Sequence, residues 1–452
     1  MSRNVENRDP GPYPVGRRAA RRRDKTGAVV WLVAVLLIVA TVIGFSTGLI
    51  RSGSAPKNGD EGQSGQVPGD GGNGDGTGDG TGGSGSGSGN GNGSGIGDAN
   101  GDGAGNGDAN GREHCTEAKA ALLEKASEAR GVYLTIPAVG TPAKMTQVVT
   151  FVREHPGLNA FVVDLKDNHG QVPCPPPEGV PSRSAGYRHY PVLIRELARQ
   201  GYYMAARIVA FQDPYIAVEQ PDLAIRKADG SLWRDRDGRL WLNPYDKRNW
   251  EHVINTALWA LEMGFHEIQL DYVRFPDSAS GIESSTLMPG SEDFRNRGHA
   301  ISEFLKYMAD QLGDRALLCA DIFGFTTIAA DDMGIGQKLE EVSDSVDIIS
   351  PMVYPSHYYN KGIYGFDVPE AHPYEVVGKA MDEALERTEG LRVQVIRPWL
   401  QDFSMRIKYG AKEVQDQINA VFERGINTFL LWNPSNVYTD GVEYRPPGAS
   451  SD

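Results

Sequence analysis

The run Glu267-Ile268-Gln269-Leu270-Asp271-Tyr272-Val273, entered from a helical pattern over Lys247 to Met263, decides how this chain is read. In that pattern Val253, Ile254, Ala257, Leu258 and Leu261 share one face at the helical period. Asp246 stands where an N-cap is needed, and Gly264 where the chain must leave the helix. The run after Gly264 has the length and apolar content of a buried strand.

The same alternation extends in both directions. Short apolar runs lie at Gly131–Ile136, Ala160–Leu165, Tyr203–Ala210, Glu267–Val273, Ala316–Ile322, Asp347–Tyr354, Val393–Leu400 and Asn427–Trp432. Helical patterns separate them, with Phe294 to Leu312 and Glu413 to Phe422 the next clearest. Eight strand–helix units predict a (β/α)8 TIM barrel. An open doubly wound sheet competes, but it carries a Gly-rich phosphate loop after its first strand. Here Pro137-Ala138-Val139-Gly140-Thr141 follows Ile136. One insertion follows strand three, where Asp229-Gly230 and Asp237-Gly238 punctuate alternating aromatic and charged residues up to Trp241. These turn signals predict a hairpin-like excursion on the face where barrels keep their chemistry.

Residues just past the C-terminal ends of the strands are therefore the candidates for chemistry. Strand two ends in Asp164-Leu165-Lys166-Asp167, strand three gives Arg207 and Gln212-Asp213, and strand four gives Asp271 through Arg274 to Pro276. Strand five gives Asp321, strand six Tyr354 and His357, strand seven Arg397 to Asp402, and strand eight Trp432-Asn433. Carboxylates, arginines and aromatics thus converge on one rim. Glycosidic bond cleavage needs a carboxylic acid to protonate the leaving oxygen and a carboxylate to attack the sugar or activate water. Aromatic faces seat sugar rings, and Arg, Asn and Gln satisfy hydroxyls. Asp164 and Lys166 read equally as substrate binders or as a rim ion pair, and Asp402 is a reserve acid. Tyr354, Trp399 and Trp432 either line a sugar subsite or close the barrel top. A Schiff base on Lys166 is disfavoured, because flanking Asp164 and Asp167 keep the ammonium charged.

The segments Gly131-Val132-Tyr133-Leu134-Thr135, Val163-Asp164-Leu165-Lys166-Asp167 and Leu270-Asp271-Tyr272-Val273-Arg274-Phe275-Pro276 resemble the bacterial family called the "putative glycosyl hydrolase domain". So do Asp321-Ile322-Phe323-Gly324 and Pro351-Met352-Val353-Tyr354-Pro355. The likeness covers about residues 130–437. It implies a TIM barrel distantly related to α-amylase-like glycosidases, and it implies no substrate. In those relatives an Asp ending strand four is the nucleophile and a Glu ending strand five is the acid. Asp271 matches the first position; Asp321 holds the second with a side chain shorter by one bond, about 1.5 Å. Carboxyl separation distinguishes the outcomes, about 5 Å for retention and about 6.5–9.5 Å for inversion.

The remaining sequence says where the domain works. Arg17, Arg18, Arg21, Arg22, Arg23 and Lys25 precede an uncharged stretch from Gly27 to Ile50. As a helix it would run about 36 Å, enough for a bilayer core of about 30 Å. The basic flank predicts residues 1–26 in the cytoplasm and the bulk outside. A cleaved signal peptide is the alternative, but the apolar run is long for one and Ser46-Thr47-Gly48 fits its cleavage pattern poorly. Of 55 glycines, 25 fall between Arg51 and Gly111. Residues 51–112 hold hardly an apolar side chain and are expected to be a disordered tether, with ends roughly 40–45 Å apart.

The domain at 113–452 carries the whole net charge of −14, since +5 before the apolar stretch cancels −5 in the tether. An acidic domain with no basic run argues against nucleic acid as its main partner. Cys115 and Cys174 could pair outside the cell, leaving Cys319 in an apolar run, and no Cys/His spacing suggests zinc. No cofactor is expected. The sequence therefore predicts a membrane-tethered, outward-facing glycosidase acting on a surface or cell-wall polysaccharide. Asp271 is its nucleophile or base and Asp321 its acid. Arg207 and Arg274 hold that pair, and Asp164, Lys166, Tyr354, Trp399, Trp432 and Asn433 form the sugar pocket. The competing expectation is a barrel that binds cell-wall glycan without cutting it.

Overall fold

The computed structural model describes residues 116–277, 286–358 and 364–448. The expected cytoplasmic tail, membrane span and tether lie outside these residues. Among the described residues no helix is long and apolar enough to cross a membrane.

Eight parallel strands close into a barrel. They are β1 (Arg130–Leu134), β2 (Ala160–Lys166), β3 (Tyr203–Val209), β4 (Glu267–Asp271), β5 (Leu317–Phe323), β6 (Ile348–Met352), β7 (the two pieces Val395–Ile396 and Trp399–Gln401) and β8 (Phe429–Trp432). Each pairs in parallel with the next, and β8 returns to β1 with Gly131 opposite Leu430, so no edge is left open. A Cβ on Gly131 would stand 3.0 Å from the Leu430 side chain and 3.1 Å from that of Ala160, which explains a residue without one in the barrel wall. Strands β1 to β4 are buried at every position, as the continuous apolar runs predict.

The strand ends sharpen the sequence reading. β4 stops at Asp271, because Tyr272 adopts a left-handed φ of 51°. β7 breaks at Arg397-Pro398, where proline has no N–H for the ladder.

The outer layer is α1 (Glu117–Ser127), α2 (Pro142–Glu154), α3 (Tyr190–Arg199), α4 (Lys247–Glu262), α5 (Arg297–Leu312), α6 (Leu339–Ser343), α7 (Pro373–Thr388) and α8 (Ala411–Phe422). On α4 the Asp246 carboxylate accepts from the Arg248 N–H at 3.0 Å, and Gly264 turns out at φ 95°. Its buried face carries Trp250, Val253, Ile254, Ala257 and Ala260, slightly rotated from the predicted one, leaving Leu258 and Leu261 half-buried. Each large apolar side chain so buried contributes about 1.5–3 kcal/mol. An acidic residue at Ile254 would break the contact.

Helix α1 was not anticipated. It plugs the N-terminal end of the barrel, with its Leu122, Leu123 and Ala126, and Ala129 just beyond it, clustered with Leu317, Ile348 and Val395, and Lys119 paired to Asp347 at 3.0 Å.

The insertion after β3 is an antiparallel excursion with turns at Lys227–Ser231 and Asp235–Arg239, closed by the Ala224–Leu242 bridge. Gly230 and Gly238 supply φ values of 84° and 78° there. It also pairs Arg226–Lys227 with Thr286–Leu287 from beyond β4. The barrel and the insertion expected from sequence are thus found, with a terminal plug added.

Candidate active site

Asp271 ends β4 and keeps 7% of its surface at the C-terminal mouth of the barrel. Three N–H groups hold its carboxylate. Arg207 Nε and Nη2 reach Oδ2 at 3.0 and 2.5 Å, and the Tyr272 main-chain N–H reaches Oδ1 at 2.6 Å. The left-handed turn at Tyr272 makes the last contact possible, at a cost of about 1–2 kcal/mol for a residue other than glycine. Charge-assisted bonds of this kind fix a carboxylate in orientation as well as charge.

Arg207 also holds a second carboxylate. Asp164 faces it across the β2–β3 register and accepts from Nη1 at 2.6 Å. Tyr133 of β1 donates its hydroxyl to the other oxygen of Asp164 at 2.6 Å. Burial pushes the Asp164 carboxyl up to about 6, against the pull of Arg207 and the Tyr133 hydrogen bond. The Tyr133 ring stacks on Trp432 at 4.1 Å and meets Trp399 edge-on at 6.3 Å, and the Arg207 guanidinium lies 5.3 Å from the Trp432 ring.

Asp321, on the neighbouring strand, is 1% exposed. Its Oδ1 accepts from Gln269 Nε2 at 2.6 Å and Trp399 Nε1 at 2.7 Å. Burial first, and then the nearby Asp271 charge, push this carboxyl well above the usual range, outweighing those two bonds and Arg207. The site thus pairs a charge-balanced carboxylate with one biased towards its acid form. Tyr354 stands over this floor, its hydroxyl pushed well up by burial and by Asp321 and Asp271, its ring 6.5 Å from Trp432 and 5.7 Å from Phe403.

Seven of the residues expected in the pocket converge: Asp164, Arg207, Asp271, Asp321, Tyr354, Trp399 and Trp432. The others make no bond to either of the two carboxylates. Lys166 is turned away by a register shift after Asp164 and forms a buried pair with Asp213 at 2.6 Å. Arg274 does not hold the acid–base pair. Its guanidinium donates to the Phe275 carbonyl and lies over Trp241, Tyr272 and Phe323 at 4.9, 5.4 and 4.6 Å. Trp241 comes from the insertion and is tied to Asp235 at 2.9 Å. Asn433 bonds the Asp402 carbonyl and the Ser435 N–H.

The reserve acid Asp402 receives the Thr439 N–H and hydroxyl, securing the segment after β8. His357 sits beside the Ser356 hydroxyl at 3.0 Å. Arg397, counted with the rim from sequence, lies in the lower barrel interior, paired with Glu267 and lying over the Tyr203 ring. Cys174 is a free buried thiol, pushed up to about 11 by burial; Cys115 lies outside the described residues. Among the described residues no cluster of His, Cys, Asp and Glu is arranged to hold a metal ion.

A closed (β/α)8 barrel with an arginine-braced aspartate at its mouth and a raised aspartate beside it is of the glycosidase type. Residues 131–438 match the family described as "putative glycosyl hydrolase domain", and the chain belongs to that family. No curated protein matches the chain. Among solved structures, a hypothetical protein from Ruminiclostridium thermocellum ATCC 27405 is 30% identical, covering 45% of this chain and 98% of its own, with a TM-score of 0.38. The PgaB (BpsB) glycoside hydrolase domain from Bordetella bronchiseptica is 13% identical over 68% of this chain and 94% of its own, with a TM-score of 0.50. The beta-galactosidase from the psychrophilic Marinomonas ef1 is also 13% identical, over 68% and 54%, with a TM-score of 0.48. At 13% identity, the likeness to the PgaB domain speaks for the fold.

Proposed function

We propose that the barrel hydrolyses glycosidic bonds of a surface or cell-wall polysaccharide by a two-carboxylate mechanism. Asp271 is the nucleophile or base, and Asp321 the acid. The observation that carries this reading is the contrast between them. Asp271 is oriented by three N–H groups and reaches the mouth, while Asp321 beside it is biased towards protonation. Arg207 balances the Asp271 charge without supplying a proton. Trp432, Phe403 and Tyr354 offer ring faces and a hydroxyl to a sugar seated over Asp271. The apolar stretch at 27–50 and the Gly-rich stretch at 51–112 motivate the location: a barrel tethered outside the cell membrane, within tens of ångströms of its surface.

One observation favours the second reading, a barrel that binds glycan without cutting it. Asp321 is sealed from solvent, and one of its oxygens is already shared by two buried donors. Release of reducing ends by the purified full chain from a panel of bacterial polysaccharides decides between them. The hydrolase reading expects new reducing ends from at least one polymer. Retention of a polymer on the protein with no new ends over prolonged incubation supports the binder.

A further inference from the structure

We propose that Tyr133 and Asp164 are positioning residues that set the Arg207 clamp on Asp271, without touching substrate themselves. The inference rests on the hydrolase reading for its kinetic consequence and on geometry for its substance. Arg207 is the one guanidinium bonded to Asp271 among the described residues, and it has three donor positions committed to two carboxylates. Nη1 belongs to Asp164. That bond fixes rotation about the guanidinium plane, so Nε and Nη2 must face Asp271 together. Asp164 is oriented in turn by Tyr133, whose position leaves little freedom. The ring is clamped by Trp432 and Trp399, and its carbonyl accepts from Asn436 Nδ2 at 2.8 Å and from the Tyr438 hydroxyl. Four strands thus meet in one chain of bonds, Tyr133 to Asp164 to Arg207 to Asp271, in which only the last member is at the mouth.

Asp164 is 2% exposed, both its oxygens are taken up by Arg207 and Tyr133, and the register sets it level with Arg207, one inward-facing position deeper than Asp271, so a bound sugar would meet Asp271 and not this carboxylate. The groups that face it are Tyr133 from β1, Arg207 from β3, Asp167 from its own strand end and the Tyr190 hydroxyl of α3 at its carbonyl; Asp271 lies across Arg207. Protonating Asp164 removes half the negative charge that holds Arg207, which ties the clamp to pH. The Tyr133 hydroxyl opposes that protonation.

The test uses the full chain carrying Tyr133→Phe or Asp164→Ala, read by crystal structure at matched pH and by kinetics on whichever polymer the panel identifies. In Asp164→Ala, Arg207 is expected to rotate off the two-point contact with Asp271, with kcat at least tenfold lower and KM within threefold. Tyr133→Phe keeps the ring packing and is expected to fold. Its kcat should lose activity at a higher pH than the wild type as the medium is acidified. An unmoved Arg207 in both variants overturns the proposal. So does a KM effect with kcat unchanged, which would make Asp164 a substrate ligand. Should the wild type cleave nothing, the hydrolase reading fails, and the position of Arg207 in the two variant structures still decides this inference.

Discussion

Arg207 on β3 grips Asp271 on β4 through two N–H groups that converge on one carboxylate oxygen, and no other side chain among the described residues bonds that carboxylate. Both groups are largely buried, so neither charge can be left alone at low cost. Arg207→Met is therefore expected to destabilise the protein by about 3–5 kcal/mol and to lower kcat by at least tenfold. Arg207→Lys keeps the charge but cannot make the two-point contact, and should recover stability better than activity. Urea denaturation and kcat on the same preparations check both. Equal recovery of the two would contradict the role.

Asp321 carries a pH signature. Its carboxyl is raised in the folded protein, so its contribution to stability is present below the ordinary aspartate range and is lost as pH rises through the raised value. As the acid it also supplies the alkaline limb of the rate profile. Asp321→Asn should lower kcat by about 10²–10⁴ and abolish that limb. A variant that keeps the wild-type alkaline limb would remove Asp321 from the mechanism.

Asp164 gives a second pH window. Its carboxyl stands at about 6 in the fold, above the ordinary aspartate value of 3.8, so wild-type stability falls as pH rises between these values. Asp164→Asn lacks that fall and should gain on the wild type between about pH 4 and pH 6, by up to about 3 kcal/mol. Thermal unfolding across this range measures the difference. A flat difference would show that Asp164 titrates as an ordinary carboxylate.

The eight strands were legible because each is a continuous apolar run, and burial on both faces requires that pattern. Asp271 and Asp321 were legible because the barrel puts its chemistry at strand ends. Tyr133 was not, since it lies within β1 and its role depends on partners 31 and 299 residues away, Asp164 and Trp432. The misplacement of Lys166 has a local cause. A register shift after Asp164 turns the next side chains, and a one-residue slip reverses which face each one takes. Arg274 lies three residues from Asp271 in sequence, yet it donates to the Phe275 carbonyl and not to that carboxylate. Its aromatic surroundings needed Trp241 from an insertion whose path sequence did not specify. Arg397 sits in the lower layer and not at the rim because β7 breaks beside it, which shifts the count along the strand.

Tyr272 offers a backbone test. A left-handed φ favours glycine over any other residue, so Tyr272→Gly should be more stable than Tyr272→Ala by about 1 kcal/mol. In ordinary strand or helix positions the order is the reverse. Chemical denaturation of the two variants checks the sign. Alanine as the more stable of the pair would mean that the turn at Tyr272 is not strained.

The Glu267–Arg397 pair beside Tyr203 separates fold from function. Replacing Glu267 alone by Gln leaves a buried guanidinium uncompensated and is expected to cost about 3–5 kcal/mol, while Glu267→Leu with Arg397→Met together should recover most of it. Activity per folded molecule should stay near wild type in the double variant. A large loss there would place this lower layer in the catalytic machinery.

In the proposed mechanism Asp271 is the carboxylate that acts on the sugar. Chemical rescue tests it most directly: hydrolysis of a susceptible polymer or an activated glycoside by full-length Asp271→Ala, with and without added azide. Without azide a loss of activity of at least about 10²-fold is expected, the order of magnitude for removal of a principal catalytic group. Recovery is expected on adding azide, with a glycosyl azide as product. Near-wild-type hydrolysis by Asp271→Ala with no response to azide would contradict it.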